Sequence, residues 1–412
     1  MSFVQAEKQP LPHFSTSPAT PLSAEPEEPY RHTPLRCAIP AATRLWSHSH
    51  CRSGHWPGEE ELMSAVAVVG AGIVGSSVAY HLARQGVPVT LLDQGPSPAT
   101  GVTGDSFAWI GGCGGDWPGG AQDLRGSVVA DYRRLETELP DVTVRWTGSL
   151  AWTGVQASHD SRLGPGRFWV GGSDIAALEP NLRNPPERVI HTPTDGGVDP
   201  EAMTNALVDA ARAHGATVMH NSVVTSLKMT RERVEGVLSS TGFHRAETVV
   251  LAAGTGTPKL CEPLPADLPV ATSSACLVRL AAPAGLVKTI VASPEFEVRE
   301  VREGDLLLTL PRAGGTSATS LRQAAQDALR HLQAAFRGSD SCRLLGYRIG
   351  GRPMPAQGPV VGYVAQDRSV YVAVMHSAIT LAPTIGRLVA DELVTGRPAP
   401  ELRRCRPHRH AQ

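Results

Sequence analysis

Apolar residues form three successive patterns between residues 66 and 92. Val66–Val69 is an unbroken apolar run, which predicts a buried strand. Apolar residues then recur at helical spacing, at Val74, Val78 and Leu82, and Gly86 stands where a glycine commonly ends a helix. A second strand is predicted at Val89–Leu92. The pattern therefore predicts a strand, an amphipathic helix and a second strand in direct succession.

The turn between the first strand and the helix carries three glycines, Gly70, Gly72 and Gly75, at the spacing G-x-G-x-x-G. Glycine permits a tight turn, close approach of the backbone to a diphosphate, and close packing of helix on strand. Asp93 ends the second strand, where a carboxylate can bind the ribose hydroxyls of an adenosine. The alternative is a βαβ unit without a nucleotide. We predict a dinucleotide site formed by Gly70, Ala71, Gly72, Ile73, Val74, Gly75, Asp93 and Gln94.

A segment rich in glycine, serine and threonine, Gly95–Gly120, follows in place of a further βα unit. Because nicotinamide enzymes normally continue with more such units, the interruption favours a flavin cofactor. A loop of this composition can run along a ligand, and Trp109 either contacts the cofactor ring or fills core. The cofactor contacts predicted in this segment are Thr103, Ser106, Phe107 and Ala108.

The nucleotide-fold pattern resumes near residue 199. The predicted elements are a helix over Glu201–His214 that ends at Gly215, and strands at 216–226, 233–238 and 248–254. The last strand either closes over the adenosine side of a cofactor or is an ordinary core strand. The cofactor contacts predicted in this region are Val223, Val224, Ala253 and Gly254.

A third block lies near the C-terminus. Val370–Val374 predicts a buried strand, and a helix follows that extends to Leu393, with a buried stripe at Ile385, Leu388 and Val389. Ser377 or Thr380 is expected to cap the helix, whose free N–H groups and positive dipole end would stabilise a reduced, anionic flavin. The cofactor contacts predicted here are Ser377, Ala378, Ile379, Thr380 and Leu381.

Composition excludes several classes of protein. The chain of 412 residues is long enough for two domains, and its formal net charge of -1 provides no basic field for binding nucleic acid. No apolar run is long enough to cross a bilayer. The seven cysteines are scattered without zinc-ligand spacing, which predicts free thiols, no metal site and a cytoplasmic location.

The first 62 residues are rich in proline, serine, histidine and glutamate and lack helical or strand periodicity. We expect them to be disordered, and Met63 to be a candidate for the natural start. They show no basic start followed by an apolar segment, as a secretory signal would require. Residues 401–412 are expected to form a flexible tail.

Taken together, the blocks resemble the superfamily of D-amino-acid oxidase, glycine oxidase and sarcosine oxidase over roughly residues 64–400. The matching motifs are Val68–Gly75, Gly197–Pro200, Val249–Gly254, Gly351–Pro353 and His376–Pro383. The resemblance implies an α/β fold with a discontinuous Rossmann-type FAD domain, here 63–145, 196–270 and 346–400. It also implies an antiparallel-sheet substrate domain, here 146–195 and 271–345.

The resemblance also implies roles for individual residues. Arg352 of the Arg-Pro motif would bind a substrate carboxylate, for which a guanidinium offers a planar fork, or else form a structural salt bridge. Tyr347, Tyr363 and His376 are candidate pocket residues, although each is also a common packing residue. Some relatives bond the flavin covalently, through a cysteine in the Arg-Pro loop or through a histidine in the loop after the first βαβ unit. This chain has Met354 and Ala356 in the former loop and no histidine between 82 and 158, so we predict non-covalent FAD.

The expected reaction is oxidation of the C–N bond of a small amine or amino acid, such as a D-amino acid, glycine or an N-methyl amino acid. Hydride passes to flavin N5, and water hydrolyses the imine. The electron acceptor is oxygen in an oxidase and another carrier in a dehydrogenase, and the sequence does not separate the two. A nucleotide-binding protein with a structural or absent flavin is the alternative from another class.

Overall fold

The computed structural model describes residues 64–111, 119–152, 163–231, 233–310 and 317–407. The predictions for residues 1–62 and the candidate start at Met63 lie outside these ranges, as does the part of the Gly95–Gly120 segment from 112 to 118. All structural statements below concern the described residues.

The strands, in chain order, are β1 (Ser64–Val69), β2 (Val89–Leu92), β3 (Trp109–Ile110), β4 (Ser149–Ala151), β5 (Phe168–Gly171), β6 (Arg188–Thr192), β7 (Gly196–Gly197), β8 (Thr217–Met219), β9 (Val224–Thr230), β10 (Arg233–Ser239), β11 (Gly242–Leu251), β12 (Val270–Ala281), β13 (Ile290–Ala292), β14 (Glu297–Arg302), β15 (Asp305–Thr309), β16 (Arg343–Pro355), β17 (Val360–Tyr363) and β18 (Val370–Val374). The α-helices are α1 (Ile73–Arg84), α2 (Ala121–Arg125), α3 (Val128–Glu138), α4 (Gly172–Leu178), α5 (Pro200–Ala213), α6 (Thr257–Cys261), α7 (Ala318–Ala335) and α8 (Ala378–Thr395). Two 3₁₀ helices cover Gly254–Gly256 and Pro400–Cys405.

The first sheet is built around five parallel strands in the order β18-β11-β1-β2-β8. β17 pairs antiparallel with β18, and β9 and β10 extend from β11 as an antiparallel pair. Strands that are far apart in sequence, β1 and β11, are neighbours in the sheet. This arrangement confirms the predicted Rossmann-type fold and its interruption in sequence.

Alternation of side chains along β1 gives the first sheet a core on each face. Val66 and Val68 pack into a cluster shared with α1, α5 and α8, whereas Ala67 and Val69 pack into a second cluster shared with β9, β10 and α6. Both faces are buried, as the continuous apolar run predicts. The stripe of α1 behaves as expected, since Val78 and Leu82 are fully buried and Gly86 adopts φ +79° after the helix.

Helix α8 lies directly against α1. A Cβ on Gly386 would stand 2.1 Å from Ser77 Oγ, and Ser77 Oγ donates to the carbonyl of Ala382 at 2.8 Å. Pro383 lies inside α8 and has no N–H for the carbonyl of Ile379. Tyr132 Oη donates to that carbonyl at 2.5 Å instead. The tight α1–α8 contact fixes where the N-terminus of α8 points.

The second sheet has the order β16-β12-β15-β14-β13-β4-β6-β5. Every neighbouring pair is antiparallel except β13 and β4, which are parallel. Helix α7 packs against β16 and β12, and a separate apolar cluster fills the space between helix and sheet. β16 belongs to this sheet over its whole length and crosses the predicted domain boundary at 345/346; the division into domains stays a prediction.

The chain beyond residue 400 differs from the predicted flexible tail as far as Pro407, the last described residue. Pro400–Cys405 is a 3₁₀ helix in which Leu402 and Cys405 are buried. Arg406 is ion-paired with the buried carboxylate of Glu392, which also accepts a hydrogen bond from Tyr371 Oη at 2.5 Å. Two apolar anchors and a buried ion pair hold this segment on the first sheet.

Among the described helices, none combines the length and apolar character needed to cross a membrane. The described cysteines, Cys261, Cys276, Cys342 and Cys405, are buried free thiols, as predicted.

Candidate active site

Segments that follow the parallel strands meet at one edge of the first sheet. Gly70 follows β1, Asp93 follows β2, Ala253 comes shortly after β11 and His376 shortly after β18. Ligands of open α/β sheets bind outside the carboxyl ends of such strands. Backbone hydrogen bonds from Asn221 N to the Gly95 carbonyl and from Ser222 N to the Asp93 carbonyl, both 2.8 Å, bring the segment with Val223 and Val224 to the same edge. Gln94 is exposed there.

The three glycines have the local geometry that the motif predicts. Gly70 has φ +105°, a conformation that favours glycine. A Cβ on Gly75 would lie 1.9 Å from the carbonyl oxygen of Gly70, so the close contact of α1 with β1 requires glycine. A Cβ on Gly72 would lie 3.0 Å from Thr103 Oγ1. The backbone at Gly72 therefore lies close against Thr103, in the loop that was predicted to follow the cofactor.

Two backbone amides of this turn donate to side chains. Ala71 N donates to Asp93 Oδ2 at 2.6 Å, and Ile73 N, in the first turn of α1, donates to Thr103 Oγ1 at 3.1 Å. Gly72, at the N-cap, provides no side-chain cap. A hydroxyl can donate to a phosphate oxygen as well as accept from an amide. The amides of Ala71 and Ile73 are thus engaged by side chains, and the hydroxyl of Thr103, beside the N-terminus of α1, is placed to donate to a diphosphate.

The start of α8 differs from the prediction that Ser377 or Thr380 caps it. Ser377 occupies the N-cap with φ +58° and makes no capping hydrogen bond; its Oγ lies 3.1 Å from His376 Nδ1. Thr380 Oγ1 donates to the carbonyl of Trp109 at 3.0 Å and accepts from Gly111 N at 3.4 Å. The loop at 109–111 engages the hydroxyl of Thr380, and the hydroxyl of Ser377 contacts His376. The first-turn N–H groups therefore lack a side-chain cap.

A cavity of about 410 Å³, which we call the main cavity, lies between these segments and the second sheet. It brings together eleven of the predicted site residues: Ile73, Thr103, Ser106, Phe107, Ala108, Arg352, His376, Ser377, Ala378, Ile379 and Thr380. Trp109 also lines it. Ile73 lies in the glycine turn, Thr103 accepts a hydrogen bond from its amide, and both line the cavity, so the dinucleotide edge and the cavity are continuous.

Arg352 carries the positive charge on the second-sheet side of the cavity. It lies on β16 opposite Ser273 of β12, and its Nη2 donates to Ser273 Oγ at 3.0 Å. Its Nε is buried without a hydrogen-bond partner among the described residues. Burial raises the pKa of Glu297 in the cavity wall, and the charge of Arg352 opposes that rise. Arg352 therefore retains donor capacity for a ligand.

The surroundings of His376 favour the neutral form of its imidazole. Burial lowers the pKa of its imidazole below the usual value, and the charges of Arg352 and Arg125 lower it further. A neutral imidazole can donate or accept a hydrogen bond without adding a charge to the cavity.

Several cavity residues were missed by the sequence analysis, above all Asp195, Arg125 and Glu297. Asp195 is 4% exposed, and burial raises the pKa of its carboxyl to about 6 against the opposing hydrogen bonds of Ser149 and Trp109. Its signal in the sequence was its place immediately before the Gly196-Gly197-Val198-Asp199-Pro200 segment. Arg125 and Glu297 carried no local signal, because only folding brings α2 and β14 to the cavity.

Other predicted residues lie outside the cavity wall. Tyr347 lines a separate cavity of about 220 Å³ together with Asp199, Glu201, Arg279 and Arg348. Tyr363 packs edge-on against Tyr371, with ring centroids 4.8 Å apart. Leu381 is fully buried in the core around α8. The structure does not bring these three side chains to the arginine and histidine of the main cavity.

Comparison with known proteins identifies the family. The family model described as FAD dependent oxidoreductase, DAO, matches residues 65–392. The chain belongs to this family. A glycine oxidase from Bacillus licheniformis is 26% identical over 349 residues, covering 80% of this chain and 93% of the relative. A D-amino acid dehydrogenase from Bradyrhizobium diazoefficiens is 26% identical over 423 residues, covering 84% of this chain and 99% of the relative.

The fold of this family member is also that of solved structures. The crystal structure of glycine oxidase from Geobacillus kaustophilus matches with a TM-score of 0.74 at 21% identity, covering 85% of this chain and all of that one. Membership of the family makes FAD the cofactor, as the sequence predicted, and confirms the predicted oxidoreductase class. The glycine turn, Thr103 and the uncapped start of α8 are the features of this chain that fit it.

Proposed function

We propose that this flavoenzyme oxidises the C–N bond of a small amine or amino acid in the main cavity: a D-amino acid, glycine or an N-methyl amino acid. The observation that carries the proposal is the continuity of the glycine turn with a cavity that also contains Arg352. A cofactor edge and a carboxylate-binding group thus share one space. The oxidase and the dehydrogenase at equal sequence identity act, by their names, on glycine and on D-amino acids.

Arg352 is the residue that binds the substrate carboxylate in this proposal. Its Nη2 is held by Ser273, and its buried Nε is available as a donor. A guanidinium can hold a carboxylate through two hydrogen bonds, which fixes orientation as well as position. The main requirement that this reaction places on the protein is to orient the substrate C–H bond toward the flavin.

Bound FAD supplies the capacity to accept a hydride. The N-terminus of α8 would favour negative charge on the cofactor ring, because its dipole is positive there and its first-turn N–H groups have no side-chain cap. His376, whose neutral form is favoured by burial and which lies beside Ser377, would add a polar contact to the bound ligand.

Non-covalent attachment of FAD is part of the proposal. Met354 and Ala356, which follow Arg352 in and just after β16, have no nucleophilic side chain for a flavin bond. Precipitation of the protein with acid is expected to release all of its yellow colour into the supernatant. Colour that stays in the pellet would contradict non-covalent attachment.

A cytoplasmic location is also proposed, supported by the four free thiols among the described residues.

The experiment that tests the function is anaerobic bleaching of the bound flavin. Amino acids and N-methyl amino acids are added one at a time to the yellow protein, and at least one is expected to remove its absorbance near 450 nm. A flavoprotein that no amine bleaches would instead support a nucleotide-binding protein with a structural flavin. Admitting oxygen and assaying peroxide then separates an oxidase from a dehydrogenase.

A further inference from the structure

Asp195 is a buried acid in the cavity wall that the proposed reaction does not use. It immediately precedes β7, which pairs with β3, directly after the loop at 103–109. Its Oδ2 accepts hydrogen bonds from Trp109 Nε1 at 3.0 Å and from Ser149 Oγ at 2.8 Å. These two bonds fix the orientation of the carboxylate.

The other carboxylate oxygen of Asp195 has no hydrogen-bond partner among the described residues, although it is buried. The side chain as a whole is 4% exposed and lines the main cavity. Buried acceptors in folded proteins almost always have a donor, because water is lost on burial and must be replaced. Oδ1 therefore needs a donor, and a group bound in the cavity that Asp195 lines can supply it.

The charges near Asp195 indicate what kind of donor fits. Arg125 and Arg167 lie close enough for their positive charges to oppose the burial of the carboxylate. Both also line the cavity. With two guanidiniums already close to a single carboxylate, a third cation would meet repulsion. A neutral O–H or N–H group would satisfy the oxygen without that cost.

We propose that Asp195 Oδ1 is the acceptor of a second polar subsite, which binds a neutral hydroxyl or amine donor of the substrate while Arg352 binds its carboxylate. The proposal rests on the proposed function and narrows its substrate class to carboxylates with a neutral donor. A charged acceptor of this kind discriminates a donor-bearing ligand from a matched ligand without the donor by about 10-fold to 100-fold.

Ligand binding measured by isothermal titration calorimetry tests the subsite without relying on turnover. The probes are a series of hydroxy acids of increasing length, glycolate, 3-hydroxypropionate and 4-hydroxybutyrate, each paired with its methyl ether. In the wild-type holoenzyme, at least one hydroxy acid is expected to bind 10-fold or more tightly than its ether. Equal affinities throughout the series would overturn the proposal.

Variants separate the subsite from a purely structural role of Asp195. Asp195→Ala is expected to abolish the preference for hydroxyl over ether, and Asp195→Asn, which keeps the shape of the side chain, to reduce it. Ser149→Ala is the matched control, because it removes a donor to Oδ2 and leaves Oδ1 in place; its preference should persist. Loss of the preference in Ser149→Ala, or its persistence in a folded Asp195→Ala protein, would contradict a ligand-binding Oδ1.

Two further results have distinct meanings. Arg352→Ala is expected to weaken a hydroxy acid and its ether equally, so that their ratio is unchanged. If Arg352→Ala left both affinities unchanged, Arg352 would not bind the carboxylate as the proposed function requires. The ratio of the two affinities would still show whether Asp195 binds the hydroxyl. Tighter binding of the zwitterion 4-ammoniobutyrate, whose ammonium group is a charged donor, than of 4-hydroxybutyrate would overturn the assignment of a neutral donor.

Discussion

The guanidinium of Arg299 donates to the carbonyl of Phe107 through Nε and to the carbonyl of Val198 through Nη2, both at 2.6 Å. Arg299 lies on β14 of the second sheet, whereas Phe107 belongs to the loop that follows the cofactor-binding βαβ unit. The side chain is 2% exposed, and burial lowers its pKa to about 9. A buried cation thus joins the second sheet to the loop that lines the cavity.

Replacing this arginine should loosen the loop. Arg299→Met is expected to reduce the free energy of unfolding by about 2–4 kcal/mol, because two buried carbonyls lose charge-assisted donors. The Kd for FAD should rise by about 10-fold or more, measured by flavin fluorescence on titrating apoprotein. Arg302→Met is the control on the same strand: its exposed ion pair with Asp199 is worth about 1 kcal/mol or less. Equal FAD affinity in both variants would contradict the anchoring role.

The contact between α1 and β1 predicts a sharp requirement for glycine. Gly75→Ala is expected to yield protein without bound FAD, because its Cβ would lie 1.9 Å from the Gly70 carbonyl and displace the phosphate-binding turn. Gly126→Ala is the control, since its Cβ would meet nothing within 4 Å and its φ of −59° suits any residue. The ratio of flavin to protein absorbance in the purified proteins measures the effect. A fully yellow Gly75→Ala protein would exclude this account of the turn.

Arg352 should act on substrate binding and leave the cofactor in place. Arg352→Ala is expected to raise KM for a carboxylate substrate by roughly 10-fold to 100-fold, since a charge-assisted hydrogen bond is lost, with bound FAD intact. Arg348→Ala, on the same strand but 68% exposed, should leave KM within about twofold. Steady-state kinetics with the substrate found by flavin bleaching provide the measurement. Unchanged KM in Arg352→Ala would remove the assigned role.

Asp195 should make stability depend on pH. Its folded pKa of about 6 exceeds the usual value near 4, so the folded state holds the proton more tightly than the unfolded state does. Stability therefore falls as pH rises from about 4 to about 6, by roughly 3 kcal/mol, and the full benefit is present only below pH 4. Urea unfolding of wild type and Asp195→Asn at pH 4.5 and pH 7.5, with excess FAD, measures the change. A constant difference between the two proteins would show that Asp195 does not titrate in this range.

Local patterns in the sequence were sufficient for the nucleotide-binding half. β2 and β18 have the bounds that their apolar runs predict, and α1, α5 and α8 form where periodicity and turn residues indicate them. The spacing of the glycines also predicted the backbone geometry of the turn, because the chain must turn at Gly70 and pack closely at Gly75. These features depend on neighbours within a few residues, which is why a single sequence reveals them.

The cavity depended on contacts that no local pattern contains. Tyr347 was a pocket candidate five positions before Arg352, yet side chains alternate between the two faces of β16, and Tyr347 lines a different cavity. Ser377 or Thr380 was expected to cap α8, but the loop at 109–111 engages Thr380, and Ser377 contacts His376 without capping the helix. Such outcomes follow from which segment packs against which.

The sequence by itself determined the dinucleotide turn, the interrupted first sheet and the arginine that lines the cavity, because each is encoded in short-range spacing or in a family motif. Only the tertiary structure decided that Asp195, Glu297 and Arg125 share the cavity with Arg352. They come from separate elements of the chain, and their proximity arises from the packing of the second sheet against the loop at 103–109. Burial then raised the pKa of Asp195, a property of the assembled cavity and not of the residue's neighbours in sequence.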